Sequence, residues 1–443
     1  MRSVIYRLAA PLAALVCFLS LSWLYGWGSP ILYEDILRWY GIAPFRFPFV
    51  DISGSLAAWE CARQGVDVIL SDPCDVLQRG YSYSPLWMAA SPIPLGVDNT
   101  MAVGWCLDLL FIGSLTLLPP PRRPVELVLV LAATLSTMVV FALERANPDI
   151  LLFIMALVAG LLAECRASVR LIGYGLALLA ALLKYYPIMA LITVFRERPP
   201  RFFAIAIALT SALAVFWMKY HIEIAEGLPG IAHGPYNTDL FAAKNLPFLL
   251  GEAATNVASP SSWGPLVGRT FAAAIYATMI GVCGVVCRRL LSSGELAAAL
   301  ASLSGLERTL LVIGCAVIVG CFFAGQSIGY RGVFLLMVIP GLLGISRAPA
   351  SRNLRALGTG ASGVIVLLMW GECFRLGLYR GFELHGVPAA ITGQLGFYFW
   401  LIRELGWWWI VAVMLGVLAD FLRVSPVVRT VSPLFSRLVL RAG

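Results

Sequence analysis

Charged side chains are scarce in this sequence. Asp, Glu, Lys and Arg supply only 13% of its 443 residues while 60% are hydrophobic, against about a quarter charged in a soluble domain. A water-soluble fold is excluded on that balance. Histidine and lysine are rarer still, at three residues each. No His-x-x-x-His or Cys-x-x-Cys pair of ligand spacing falls in a polar segment, so the chain carries no metal signature, and no cofactor is expected. A credible glycine-rich nucleotide loop, low-complexity tracts and short repeats are missing too. The apolar runs lack the alternation of lipid-facing strands, which disposes of a barrel. No convincing small-x-small cleavage site follows Arg2, Arg7 and the apolar run 8–27, so that run reads as an uncleaved first helix.

What the chain does have is apolar runs near the roughly 20 residues a helix needs to cross a bilayer. They lie at 8–27, 99–118, 125–143, 149–163, 202–218, 266–286, 309–323, 332–345, 356–371 and 405–422. A further stretch, 171–195, is broken by Lys184-Tyr185-Tyr186-Pro187 and suits two short helices meeting at one face. The expected fold is all-α and polytopic: about ten crossings plus a pair of short helices, in a single membrane domain. Two long polar connections, 29–98 and 219–265, interrupt it. Within the first, residues 51–64 have helical periodicity and suit a helix lying on the membrane surface.

The net charge of +8 points to cytoplasmic loops and not to nucleic acid. Arg122 and Arg123, Arg166 and Arg170, Arg196, Arg198 and Arg201, Arg288, Arg289 and Arg308, Arg347, Arg352 and Arg355, and the arginines from Arg423 to Arg441 fall in every second connection. Those connections are therefore expected inside a cell's inner membrane, with both termini. Lys184, Lys219, Lys244, His221, His233, His385 and most carboxylates fall on the other side, where the chemistry is expected. Cys61 and Cys74 lie there as well and suit either a disulfide or free thiols, which spacing alone does not decide.

Several residues are placed to carry chemistry. Asp51 opens the helix after Phe47-Pro48-Phe49-Val50 and reads both as an N-cap and as a catalytic carboxylate. Lys184 interrupts apolar sequence, where a cation needs a partner, a ligand or a route to the headgroups. Arg331 offers a planar donor fork at the start of a span. Arg145 and Asn147 occupy the turn before Pro148, and His233 and Lys244 sit in a Gly/Pro-rich loop that could form a lid. Trp407, Trp408 and Trp409 read as interfacial anchors, and Asp108 and Glu404 as charges awkwardly placed in apolar surroundings.

The order of these pieces resembles the polytopic glycosyltransferases of the GT-C superfamily, especially glycosyltransferase family eighty-seven, the polyprenyl-phosphate-mannose-dependent mannosyltransferases. The resemblance rests on Asp51 with Gly65-Val66-Asp67, Tyr83-Ser84-Pro85-Leu86, Asn147, Lys184-Tyr185-Tyr186-Pro187, and Tyr330-Arg331 before Pro340. It spans most of the chain. It implies Asp51 as the base that activates an acceptor hydroxyl of a lipid or glycan. Lys184 and Arg331 would hold the phosphate of a polyprenyl-phosphate sugar, and the anomeric carbon would be inverted on the periplasmic face. Tyr83, Arg145, Asn147, Tyr185, His233, Lys244 and Tyr330 are candidate substrate contacts. Ser84 replaces the first proline of the family's Tyr-Pro-Pro-Leu, and Arg145-Ala146-Asn147-Pro148 is not its Gly-centred turn. These departures leave the sugar open between mannose, the family default, and a pentose. A polymerase of lipid-linked oligosaccharides and a lipid or sugar flippase are the competing classes. The flippase would bring intramembrane charges and duplicated halves, of which the second is missing.

The charge pattern fixes a testable topology. A cysteine placed at Gly65 or His233 should react with an impermeant thiol reagent added to the periplasmic side, and one at Arg198 should not. Reaction at position 198 from outside inverts the assignment.

Overall fold

The computed structural model describes residues 2–69, 71–230, 234–236, 238–258 and 263–431. The last basic residues of the expected inner segment, beyond 431, lie outside them. Long apolar helix α1 (Arg2–Gly26) is followed by α2 (Pro30–Trp39) and α3 (Val50–Arg63), then by short 3-10 segments that lead into α4 (Thr100–Ser114). Next come α5 (Pro124–Thr134) and α6 (Thr137–Arg145), which form one span bent by 40°. The chain continues through α7 (Asp149–Ala163), α8 (Ala167–Leu183), the 3-10 segment Tyr186–Arg196 and α9 (Pro199–Gly227). The second half holds α10 (Asn245–Ala258), α11 (Gly264–Ser292), α12 (Glu295–Ser302) and α13 (Gly305–Ala324). It ends with α14 (Leu335–Arg347), α15 (Arg352–Met369), α16 (Gly371–Leu384) and α17 (Ala389–Val424).

Among the described residues seven helices are long and apolar enough to cross a membrane, or nine when each bent pair counts as one span. The protein is an all-α polytopic membrane protein. The remaining expected span is α7, at 15 residues shorter than the others. The short pair appears as α8 and Tyr186–Arg196, separated at Lys184, whose backbone leaves the helix at φ −158°. Helices α13 and α14 are buried along nearly their whole length and form the centre of the bundle. Much of α9 and α11 is exposed, as helices facing lipid tails are.

One end of the bundle is tied by arginine–carboxylate pairs. Arg347, at the end of α14, contacts both Glu126 of α5 and Glu307 of α13 at 2.7 Å. Arg196 meets Glu164 at 2.6 Å, and Arg170 meets Glu197 at 2.8 Å. Glu126, Glu197 and Glu307 are buried, so Arg347 and Arg170 neutralise charges that water does not reach, while Glu164 is exposed. The arginine-rich connections are thus also the joints between helices.

Three expectations change. Helix α3 is not a surface helix: Leu56, Ala57, Ala58 and Cys61 are fully buried, because small residues let the helix pack on several sides. Trp407 and Trp408 are not interfacial anchors but core. Trp407 stacks on Phe241 at 4.5 Å and Trp408 meets Phe322 edge-on at 5.1 Å, geometries aromatic pairs favour. The last span starts earlier than residue 405. Helix α17 has 36 residues, and the Arg403–Glu404 step that interrupts its apolar pattern is neutralised from within, Arg403 pairing with Glu404 and with Glu372 of α16. At ~1.5 Å per residue α17 is about 54 Å long.

Arg347 should be the most sensitive of the joints. Replacing it with Ala strips two buried carboxylates of their nearest cation and leaves Glu307 only the exposed Arg122 at 3.3 Å and Glu126 only the exposed Arg123 at 3.9 Å, a loss of about 3 kcal/mol. Arg122→Ala removes a largely exposed guanidinium 3.3 Å from Glu307 and should cost under ~1 kcal/mol. Thermal unfolding of the two variants in the same detergent tests the ranking.

Candidate active site

The end of the bundle opposite the arginine joints opens into a cavity of about 1060 Å³. Asp51, Tyr83, Arg145, Lys184, Tyr185, Lys244, Tyr330 and Arg331 line it. Asn147 is fully buried behind them, and His233 lies outside the described residues. Residues separated by most of the chain thus share one space, because the turn after α6, the break after α8 and the start of α14 all fall at this end.

Asp51 is the second residue of α3, one step inside the helix, so the N-cap reading does not hold. The cap position belongs to Phe49, which has φ 64° and makes no side-chain cap. A left-handed phenylalanine is costly, and its N–H is held by the Glu144 carbonyl at 2.7 Å. Asp51 accepts a hydrogen bond from Asn147 Nδ2 at 2.6 Å, while Asn147 Oδ1 accepts the Asp149 N–H at 2.9 Å. The two bonds fix which way the amide faces. On the other side Arg79 stands 3.5 Å from Asp51, clamped by Asp75 at 2.8 Å and donating to the Val50 carbonyl at 2.9 Å. Burial opposes the Arg79 charge, but Asp75 and Asp51 outweigh it and raise the pKa of the guanidinium. Gly54 makes this possible, since a Cβ there would lie 2.7 Å from the Arg79 Nη2 atom.

The cationic side is built around Asp149. Its fully buried carboxylate sits in the first turn of α7, where the helix dipole favours an anion. Lys184 Nζ lies 2.6 Å from one oxygen and Arg331 Nε 3.7 Å from the other. Tyr83 and Tyr330 present their rings to Lys184 at 4.9 and 5.6 Å, and Tyr186 presents its ring to Arg331 at 5.2 Å, which spreads positive charge over π faces. Burial pushes the Tyr83 phenol well up, so it stays protonated and able to donate. Arg331 also donates to Ser327 Oγ at 2.9 Å. Ser327 in turn pairs through its backbone with Phe241, N–O 2.9 and 3.0 Å. That pairing fixes the loop that carries Lys244. Residues 240–243, 245 and 246 are buried, Lys244 alone faces the cavity, and no carboxylate pairs with it among the described residues.

Cys61 and Cys74 are joined, Cα–Cα 5.8 Å, which settles the cysteine alternative and holds the loop bearing Arg79 and Tyr83 onto α3. With Asp72 they form the one group of metal-ligand type among the described residues, and the bridge removes both thiolates from it. Glu34 and Asp35 pair with Arg38 on exposed α2, and Glu60 accepts from Val97 N–H. None of the three lines the cavity. Sequence reasoning missed Asp149 and Arg79 as members of the site. A signal existed for each: a carboxylate two residues after Asn147 in an apolar run, and an arginine on the lysine-bearing side.

Comparison with protein-family models, with curated proteins and with solved structures finds no match.

Asp149 can be tested without a substrate. In Asp149→Asn the two buried cations lose their shared counter-charge, so the unliganded protein should unfold at lower temperature. Added inorganic phosphate should then raise the transition more than it does in the wild type. Equal shifts in both proteins mean that anions do not enter between Lys184 and Arg331.

Proposed function

We propose that the protein is a membrane glycosyltransferase that moves a sugar, with mannose the first candidate, from a polyprenyl-phosphate donor to a hydroxyl of a lipid or glycan. Its site would face the periplasm. The observation that carries the reading is the division of one cavity into a carboxylate side at Asp51 and a cationic side at Lys184 and Arg331.

Charge arithmetic supports the assignment of sides. Lys184, Arg331 and Asp149 together carry one net positive charge, which matches the single negative charge of a sugar phosphodiester. When the glycosidic C–O bond breaks, the electron pair stays on the phosphate oxygen and the leaving group becomes a dianion. Transition-state stabilisation requires positive charge aimed at that developing charge. Lys244, which pairs with no carboxylate among the described residues, is suited to supply it. On the opposite side Asp51 takes the proton of the acceptor hydroxyl as its oxygen attacks the anomeric carbon, which is inverted. Asn147 and Arg79 hold the carboxylate for this. A positioned carboxylate acting on a hydroxyl within hydrogen-bond reach contributes roughly 10²–10⁴-fold.

Purified protein incubated with a panel of polyprenyl-phosphate sugars and a membrane lipid extract should yield a glycosylated product. Asp51→Asn should keep the fold, since Asn can still accept from Asn147, and lower turnover by about 10²-fold or more. Glu60→Gln should leave turnover unchanged. Lys184→Ala and Arg331→Ala should weaken donor binding, with Lys184→Arg restoring it in part because a guanidinium is wider and planar. Full turnover in Asp51→Asn removes it as the base. Unaltered donor affinity in both alanine variants removes the phosphate assignment.

A further inference from the structure

A second cavity, of about 400 Å³, lies between α1, α2, α4 and α6. Its walls are apolar, among them Leu21, Phe49, Met101 and Trp105, and it opens beside the exposed residues Trp27 and Met101. Glu144 is the only carboxylate in the lining, which also holds Cys17, Ser22, Tyr25 and Tyr33, and no Lys or Arg lines it. The Glu144 side chain is 1% exposed; Oε2 stands 2.8 Å from the Arg145 guanidinium, and neither oxygen has a hydrogen-bond partner. Just below, Asp108 is fully buried with both oxygens unpartnered. It lies on the Met101–Trp105 face of α4, since positions three, four and seven apart share a helix face.

A buried acceptor without a partner costs free energy until a donor reaches it. The donor that completes Glu144 is not a phosphate head group: with no Lys or Arg in the lining and Glu144 its one carboxylate, an anion would be desolvated without a counter-charge. Hydrocarbon fits the walls, and the mouth opens between two membrane spans. We propose that this cavity binds an uncharged lipid that carries a hydroxyl at its polar end. The aliphatic chain lies along α1 and α4, and the hydroxyl donates to Glu144 Oε1. The site is separate from the cavity at Asp51, and the proposal rests on no step of the glycosyl-transfer reading. Phe49 lines this cavity and not the other, with its ring against Gly104, where a Cβ would come within 2.4 Å of it. Asp51, two residues on, faces the other side.

The test uses the purified full chain in phosphatidylcholine nanodiscs, with a long-chain alcohol bearing a diazirine in its chain and the phosphate ester of the same alcohol. The alcohol should label peptides of α1 and α4 severalfold more than the ester does, and unlabelled alcohol should compete. Leu21→Trp and Met101→Trp, which fill the cavity from opposite walls, should each cut labelling severalfold while thermal unfolding stays that of a folded protein. Glu144→Gln keeps an acceptor but loses the charge, so alcohol labelling should persist and ester labelling should rise toward it. Absence of alcohol labelling, ester labelling as strong as the alcohol's in the wild type, or labelling unchanged in both folded tryptophan variants would overturn the proposal. Glycosyl turnover enters none of these readouts.

Discussion

The Asp149 carboxylate is the interaction on which the rest of the site depends. Two cations brought into an apolar bundle repel each other and each loses its hydration, a cost that only a shared anion at close range offsets. Asp149 lies within 4 Å of both Lys184 and Arg331. Its own position is set by Asn147, which takes its backbone N–H and gives its amide to Asp51. The acidic and basic halves of the cavity are therefore coupled through one turn of chain, 147–149. Ala146 in the left-handed region at φ 42° is the strained residue that turns the chain there.

A second layer holds that turn in register. The Phe241–Ser327 backbone pair connects the loop after α9 to the start of α14, and Trp407 closes over Phe241. The Arg403–Glu404–Glu372 group carries the same support outward to α16. Most charged groups in this bundle are thus either paired with one another or turned toward a cavity, Asp108 being an exception. The arginine joints at the far end follow the first pattern and Lys244 follows the second.

Much of this was legible in the sequence because bilayer physics writes it there. The apolar runs gave each span, the proline-flanked break at Lys184 gave the short pair, and charge asymmetry separated the two ends. Asp51, Lys184 and Arg331 stood out as isolated charges beside apolar sequence, and they do line one cavity. What stayed hidden depended on pairing across the fold. Asp149 and Glu404 look alike as carboxylates in apolar runs, yet one anchors two cations from other helices and the other is neutralised by its neighbour Arg403. Trp407 and Trp408 carry the composition of a membrane-interface belt, and only their contacts with Phe241 and Phe322 show them to be core. Hydropathy also marks where a helix is apolar and not where it ends, which is why α9 and α17 both outrun their expected spans.

The length of α17 has a consequence for how the molecule sits in its surroundings. A rod of about 54 Å exceeds a hydrocarbon thickness of ~30 Å by far more than tilt alone absorbs, so part of it stands clear of the lipid. That part carries Trp400 and Arg403, whose side chains donate to the carbonyls of Tyr236 and Thr238, in the loop that presents Lys244. The helix that outruns the bilayer and the cavity lined by Asp51 and Lys244 are therefore joined through one loop. The outer end of α17 is thus fastened by two hydrogen bonds to the loop that places Lys244 at the cavity.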